Sequence, residues 1–204
     1  VVEGQMAFGL HSTIFDWSDF RLNYPGKHNV LNATAAIAAT LSAGGFSELL
    51  GVAVAGFQGV KRRFEYIVRR QDVMYIDDYA HHPAELEAAI SAAKMLYPDR
   101  KITGIFQPHL FTRTRDFAEG FAAALDLLDE CILLDIYPAR EQPIPGITSA
   151  NTANRMKDPN VNLINKKDLL NLLKTKDIQV LMTMGAGDID TLIEPIKKEI
   201  MNYK

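Results

Sequence analysis

The sequence predicts an α/β fold: a Rossmann-like domain on a mainly parallel sheet, preceded by the tail of another domain. Three observations carry this expectation. From about residue 72 onward, short apolar runs alternate with amphipathic stretches, the pattern of βαβ units around a parallel sheet. The first 60 residues lack that pattern and end in a glycine-marked hinge, Gly56-Phe57-Gln58-Gly59. Hydrophobic residues make up 48% of the 204, enough for a real core.

Residues 1–20 read as loop and strand with poor periodicity. Pro25-Gly26-Lys27-His28-Asn29 then turns into a small-residue helix over 30–42, and a second helix over 47–55 leads to the hinge. This piece can bury little by itself, so it reads as the end of a domain whose body lies elsewhere. Beyond the hinge, strands are expected over 73–76, 102–106, 131–136, 161–164 and 180–184. Helices fit over 83–96, with Pro83 in its first turn, and over 113–128, 167–173 and 189–201, with a short one over 149–156. Right-handed crossovers would make the sheet doubly wound. Ligands of such sheets bind outside the carboxyl ends of the strands, so the residues just after each strand are the ones to read for function.

Composition narrows the classes. With 23% charged residues and a net charge of -3, nothing suggests a polyanion-binding surface, which argues against nucleic acid as a partner. The single cysteine, Cys131, sits in the apolar run Cys131-Ile132-Leu133-Leu134 and reads as a buried small hydrophobe; one cysteine excludes an internal disulfide. No apolar stretch approaches the roughly 20 residues that span a bilayer. The start, Val1-Val2-Glu3-Gly4-Gln5, has neither an initiator Met nor a signal-peptide pattern, so a cytoplasmic protein without membrane insertion, cut from something longer, is expected.

The first strand runs into Asp77-Asp78-Tyr79-Ala80-His81-His82-Pro83. Adjacent histidines on an extended or turning backbone point apart and no helical pair four residues apart is available, so a metal site ranks low. Asp78 suits ribose hydroxyls, while capping of the following helix by Asp77 or Asp78 is at least as good a reading for one of the two. After the second strand come His109 and Arg113, where free backbone N–H groups at a helix start and a guanidinium would favour an anion such as a carboxylate; Arg115 and Asp116 read as a solvated pair. The third strand ends in a proline-rich loop from Tyr137 that would wall a pocket or be only a loop, and the fifth ends in Gly185-Ala186-Gly187-Asp188, fit for ligand approach or for a tight turn. Asn29 and Asn32 share a helix face and suit a base edge or a metal-bound water, with capping by Asn29 as the competitor. Arg62 and Arg63 follow the hinge, where one would reach a phosphate or both would be surface charge.

Taken together, these segments resemble the Mur ligase family. The likeness runs through His28-Asn29-Val30-Leu31-Asn32-Ala33, Gly59-Val60-Lys61-Arg62-Arg63-Phe64, Asp77 to Pro83, Phe106-Gln107-Pro108-His109, Thr112-Arg113-Thr114-Arg115-Asp116 and Tyr137-Pro138-Ala139. The first two are common to much of the family. The combination of the next three is specific to its alanine-adding member. The murein-peptide recycling member shares an Asp-Asp-aromatic-Ala-His-His-Pro segment but is expected to differ after Phe-Gln-Pro, and is the alternative, alongside a non-catalytic amino-acid-binding module.

The resemblance implies that residues 1–60 are the end of a central ATP-binding domain and residues 61–204 a C-terminal amino-acid-binding domain. It implies ATP-dependent joining of L-alanine to the carboxylate of UDP-N-acetylmuramate through an acyl phosphate. Asn29 and Asn32 would contact the adenine side of ATP, Arg63 its phosphates and Asp78 its ribose. Tyr79, His81, His109 and Arg113 would surround L-alanine, with Arg63, His81 and His109 as the catalytic groups. No Gly-x-x-x-x-Gly-Lys-Ser/Thr segment occurs in the chain, so the phosphate cradle and most of the Mg2+ binding would lie upstream, and this piece alone is expected to be inactive. One departure stands out: the family often carries Arg directly after Phe-Gln-Pro-His, and here that residue is Leu110.

Overall fold

The structure is a computed structural model in which residues 5–13, 15–45, 47–158 and 161–202 are described. The expectations placed on residues 1–4 lie outside them. The chain divides into two compact units, Val1–Val60 and Lys61–Lys204.

In the first unit, strands β1 (Met6–His11) and β2 (Asp16–Leu22) form an antiparallel hairpin. Helix α1 (Lys27–Ser42) follows, then a 3-10 turn (Ser47–Leu49) and the short α2 (Leu50–Ala55). Phe20, Ile37 and Leu50 make a small core, with Trp17 stacked on Phe20 at 5.1 Å between ring centroids. Helix α1 begins three residues before the expected position 30. Its N-cap is Gly26, so Asn29 lies inside the first turn and does not cap; its side chain donates back to the Pro25 carbonyl at 2.7 Å.

The second unit opens with β3 (Glu65–Arg69), β4 (Met74–Asp78), α3 (Pro83–Leu96) and β5 (Ile102–Phe106). It continues through α4 (Phe111–Asp116), α5 (Ala118–Leu125), β6 (Glu130–Leu134), α6 (Ala150–Ala153) and β7 (Asn162–Ile164). It closes with α7 (Leu169–Leu173), β8 (Val180–Met184) and α8 (Ile193–Met201). The six strands lie in the order β3-β4-β8-β5-β6-β7, all parallel except β3 against β4. The α/β fold with a mostly parallel sheet is therefore as the alternation of apolar runs and amphipathic stretches predicts.

Strands β5 and β8 are buried along their whole length, which is why they read as unbroken runs with few charges. Their pleat divides the core. Ile102 and Phe106 pack on one face with Leu86 and Ile90 of α3 and Phe121 and Leu125 of α5; Ile105 and Leu181 pack on the other with Leu169 of α7 and Ile196 of α8. Two details depart from expectation. The edge strand β3 was not foreseen, because it pairs antiparallel through a tight turn and has no helix after it to mark a βα unit. The helix expected over 113–128 is two: Phe117 leaves helical geometry, at φ -114° and ψ 15°, and sets its ring 4.8 Å from that of His82. Among the described residues, no helix is long and apolar enough to cross a membrane.

Candidate functional site

The carboxyl ends of β4, β8, β5 and β6 lie side by side in the sheet, and the loops leaving them carry most of the residues singled out above. At the end of β4 the pleat separates the two aspartates. Asp77 points inward and is fully buried; its carboxylate accepts from the Thr183 hydroxyl at 2.6 Å and from Arg62 Nε at 3.1 Å. Arg62 also donates to the Gly185 carbonyl at 2.7 Å, and its guanidinium carbon lies 5.1 Å from the centre of the Tyr79 ring. Burial raises the proton affinity of Asp77 above the usual carboxylate range, against the pull of Thr183 and Arg62. Arg62 is thus a half-buried structural cation rather than half of a surface pair. Arg63 beside it is exposed, and no hydrogen bond or ion pair holds it among the described residues.

Asp78 turns the other way. One carboxylate oxygen accepts from the Phe64 N–H and the other from the Ala80 N–H, both at 2.8 Å. Burial pushes its carboxyl up to about 6, more than those two N–H groups pull it down. Neither aspartate caps α3, contrary to the capping alternative. The N-cap is His82, and Glu85 completes a capping box from the third helical position.

The adjacent histidines do diverge. His82 caps; His81 turns toward the sheet, with Nδ1 2.9 Å from the Tyr79 carbonyl and 3.3 Å from Glu85 Oε2. A carbonyl only accepts, so that contact places a proton on Nδ1 and leaves Nε2 as the ring's acceptor nitrogen. The rings of Tyr79, His81, His109 and Tyr137 form a continuous row, at 5.0, 6.5 and 5.7 Å between successive centroids. This brings Tyr79, His81 and His109 together. Tyr137, quoted above for its loop and for the family likeness but not as a site residue, completes the row; its place three residues after β6 was the signal.

His109 and Arg113 flank the start of α4. The helix N–H groups expected to be free there are not: Glu141 Oε2 accepts from the Thr112 N–H at 3.0 Å and Glu141 Oε1 from the Thr112 hydroxyl at 2.5 Å. What is left open is on the side chains. Nδ1 of His109 and Nη1 of Arg113 are buried and have no hydrogen-bond partner. Burial first, and then the charges of Arg113 and His81, hold the His109 imidazole below the usual histidine range and so neutral at neutral pH. Leu110 sits between them at φ 72°, where a side chain is uncommon, and its N–H donates to the Tyr137 carbonyl at 2.9 Å. Arg115 and Asp116 form an exposed pair at 2.7 Å.

The glycines after β8 serve packing. A Cβ on Gly187 would come within 2.5 Å of Gln107 Oε1 and 2.7 Å of Tyr137 Cβ, and Gly185 holds φ 142° with its backbone against the Gln107 carbonyl. Gln107 ties the two strand ends together, donating to Asp188 at 2.8 Å and accepting from the Ile189 N–H at 2.9 Å. In the first unit, Asn29 and Asn32 share one face of α1, the former half-buried and the latter exposed. No group of three or more His, Cys, Asp or Glu side chains suited to a metal ion occurs among the described residues.

Comparison with known proteins fits this arrangement. The chain is 47% identical over 197 residues to a UDP-N-acetylmuramate–L-alanine ligase of Cytophaga hutchinsonii, covering 97% of this chain and 42% of that protein. It is 46% identical over 198 residues to the protein of the same name from Parabacteroides distasonis, covering 97% and 43%. It therefore spans less than half the length of these relatives. Among solved structures, the UDP-N-acetylmuramate–alanine ligase of Thermotoga maritima superposes with a TM-score of 0.77 at 29% identity, over 92% of this chain and 41% of that one. A murein peptide ligase of Psychrobacter arcticus shares the fold, with a TM-score of 0.64 at 23% identity over 91% of this chain and 39% of that one. Residues 62–187 match the model described as Mur ligase, glutamate ligase domain. With that match running from the Arg62 anchor through the row of rings to the glycines after β8, the chain belongs to the Mur ligase family.

Proposed function

We propose that this chain is the C-terminal part of an ATP-dependent ligase that joins L-alanine to the carboxylate of UDP-N-acetylmuramate in the cytoplasm, for peptidoglycan synthesis. Lys61–Lys204 is then the amino-acid-binding domain and Val1–Val60 the end of the ATP-binding domain. The observation that carries the reading is the pair of buried, unpartnered nitrogens, His109 Nδ1 and Arg113 Nη1, beside the ring row. A cation with a buried, open donor nitrogen is costly unless something anionic fills it, and an amino-acid carboxylate is the right size and charge. The 43–47% identity to alanine ligases along nearly the whole chain favours alanine over other amino acids.

In this reading Arg113 holds the carboxylate of L-alanine, and Tyr79 and His109 border it. Nε2 of His81 takes a proton from the α-ammonium group, so that a neutral amine attacks. Its target is the acyl phosphate made from the muramate carboxylate and the γ-phosphoryl group of ATP; phosphate leaves and an amide remains. Arg63, exposed and uncommitted, supplies positive charge toward the phosphates. Asp78 keeps the second lone pairs of both oxygens for ribose hydroxyls, and Asn29 and Asn32 face the adenine. The phosphate cradle and the Mg2+ ligands belong to the part of the enzyme outside this chain. The purified 204-residue chain, given UDP-N-acetylmuramate, ATP, Mg2+ and L-alanine, is expected to release no phosphate. Turnover by the chain alone would overturn the division of labour proposed here.

A further inference from the structure

The geometry points to Glu141 and Thr112 as positioning residues that clip the loop after β6 onto the start of α4 and so hold His109 and Arg113 in place. The inference rests on the amino-acid site proposed above. Four bonds join the two loops. Leu110 N–H donates to the Tyr137 carbonyl at 2.9 Å, and Tyr137 N–H donates to the Pro108 carbonyl at 2.8 Å. Thr112 gives both its N–H and its hydroxyl to the Glu141 carboxylate. Glu141 is aimed there by the turn Pro138–Glu141, closed by its own N–H on the Pro138 carbonyl at 2.9 Å with Ala139 at φ 51°.

His109 and Arg113 lie on either side of this clip, one residue from each bonded backbone group. The stacking of His109 on Tyr137 at 5.7 Å needs the loops in register, and Arg113 follows the residue that Glu141 grips. A carboxylate that already occupies the first N–H groups of α4 also leaves the guanidinium as the place for an incoming anion. Thr112 holds the Glu141 carboxyl below its ordinary range, so the clip is charged at neutral pH. The charges facing His109 are Arg113, His81 and Arg140, which lower its proton affinity, and Glu141, which raises it.

The test uses the 204-residue chain in NMR titrations, with L-alanine as the probe and the His109 imidazole and Arg113 guanidinium as reporters. Glu141→Gln keeps an acceptor but removes the charge, and should move the His109 titration to lower pH. Thr112→Val leaves that charge in place, so any move of the His109 titration or of the Arg113 signal in it reports the lost clip rather than the lost charge; a cap that served stability alone would leave both unmoved. Glu141→Ala and Thr112→Val should each weaken L-alanine binding by about tenfold, the loss of roughly one charge-assisted hydrogen bond, whereas Thr112→Ser should restore affinity to within about twofold of wild type. If Glu141→Ala does not fold, the Thr112→Val and Thr112→Ser pair decides. Folded variants with wild-type alanine affinity and an unmoved His109 titration overturn the clip. A wild-type chain whose reporters ignore L-alanine, with the Thr112→Val change at His109 or Arg113 present, overturns the amino-acid site and leaves the clip standing.

Discussion

The two ends of the six-stranded sheet solve opposite problems. At the amino end charges meet charges: Glu130 sits between Lys101 at 2.7 Å and Lys176 at 2.5 Å, and Lys94 reaches Asp129 at 3.2 Å. At the carboxyl end Asp77, buried, and Asp78, half-buried, are held by hydroxyl and N–H groups and a single arginine, and His109 and Arg113 each keep a buried nitrogen with no hydrogen-bond partner among the described residues. The pKa shifts follow suit. Glu130 is pulled down by its two lysines despite burial, while Asp77 and Asp78 are pushed up by burial. The difference is one of chemistry rather than of completeness, since Arg100 Nη1 at the amino end is also buried without a hydrogen bond; the amino end pairs opposite charges, whereas the carboxyl end gathers the candidate site groups.

The largest expected effect tests that division. In the intact enzyme, Arg113→Ala removes a charge-assisted contact of about 1.5 to 3 kcal/mol, a fall of about 10- to 150-fold in the specificity constant for alanine. The ATP constant and the thermal midpoint should barely move. Near-normal alanine kinetics would mean that His109 and its neighbours hold the substrate without Arg113.

Next come two opposite pH effects. A carboxyl whose pKa rises on folding from 3.8 to about 6, as for Asp78, contributes stability that is fully present below the lower value and lost as pH rises through the upper one. Glu130, lowered on folding, contributes stability present above its ordinary range and lost as pH falls. Melting curves across pH 3 to 8 should show this in the differences from wild type. Asp78→Asn removes the charge but also one of the two oxygens that accept from the Phe64 and Ala80 N–H groups, so it should destabilise most in acid and least near neutral pH. Glu130→Gln should destabilise by about 1 kcal/mol at neutral pH and by less in acid, with alanine binding unchanged. Parallel pH profiles for the two variants would erase the contrast between the sheet ends. The smallest effect concerns the turn that aims Glu141. Because Ala139 sits at φ 51°, Ala139→Gly should be neutral or stabilising by up to about 1 kcal/mol, where glycine in an ordinary loop position would weaken the fold.

What the sequence made legible follows from how local each signal is. Strands β5 and β8 and helix α3 match their expected limits because each is announced within its own span, by an unbroken buried run or by a proline at the first turn. The position of His109 and Arg113 was legible, where a strand gives way to a helix at the carboxyl edge of the sheet; their role remains the proposal made above. Edge strand β3 was not, being half-buried, charged at both ends and without a crossover to declare it. Glu141 was not, because its partner Thr112 lies 29 residues away and only the sheet brings the loops together. The adjacent aspartates were ambiguous for a simpler reason. Alternation along the strand sends one inward and one outward, and their sequence neighbours alone do not say which.

The order of the strands carries a consequence for how the chain is made. Strand β8 is the last to leave the ribosome, yet it lies at the centre of the sheet, bonded on one side to β4 and on the other to β5. Until residue 184 has emerged, those two strands have no shared neighbour, and each presents an apolar edge to whatever is nearby. Nascent chains that stop short of β8 should therefore be protease-sensitive and prone to aggregate, even though most of the site residues are already present. Assembly of the ring row and burial of Asp77 against Thr183 then fall late in synthesis, when the closing strand slides into a gap between two strands made well before it.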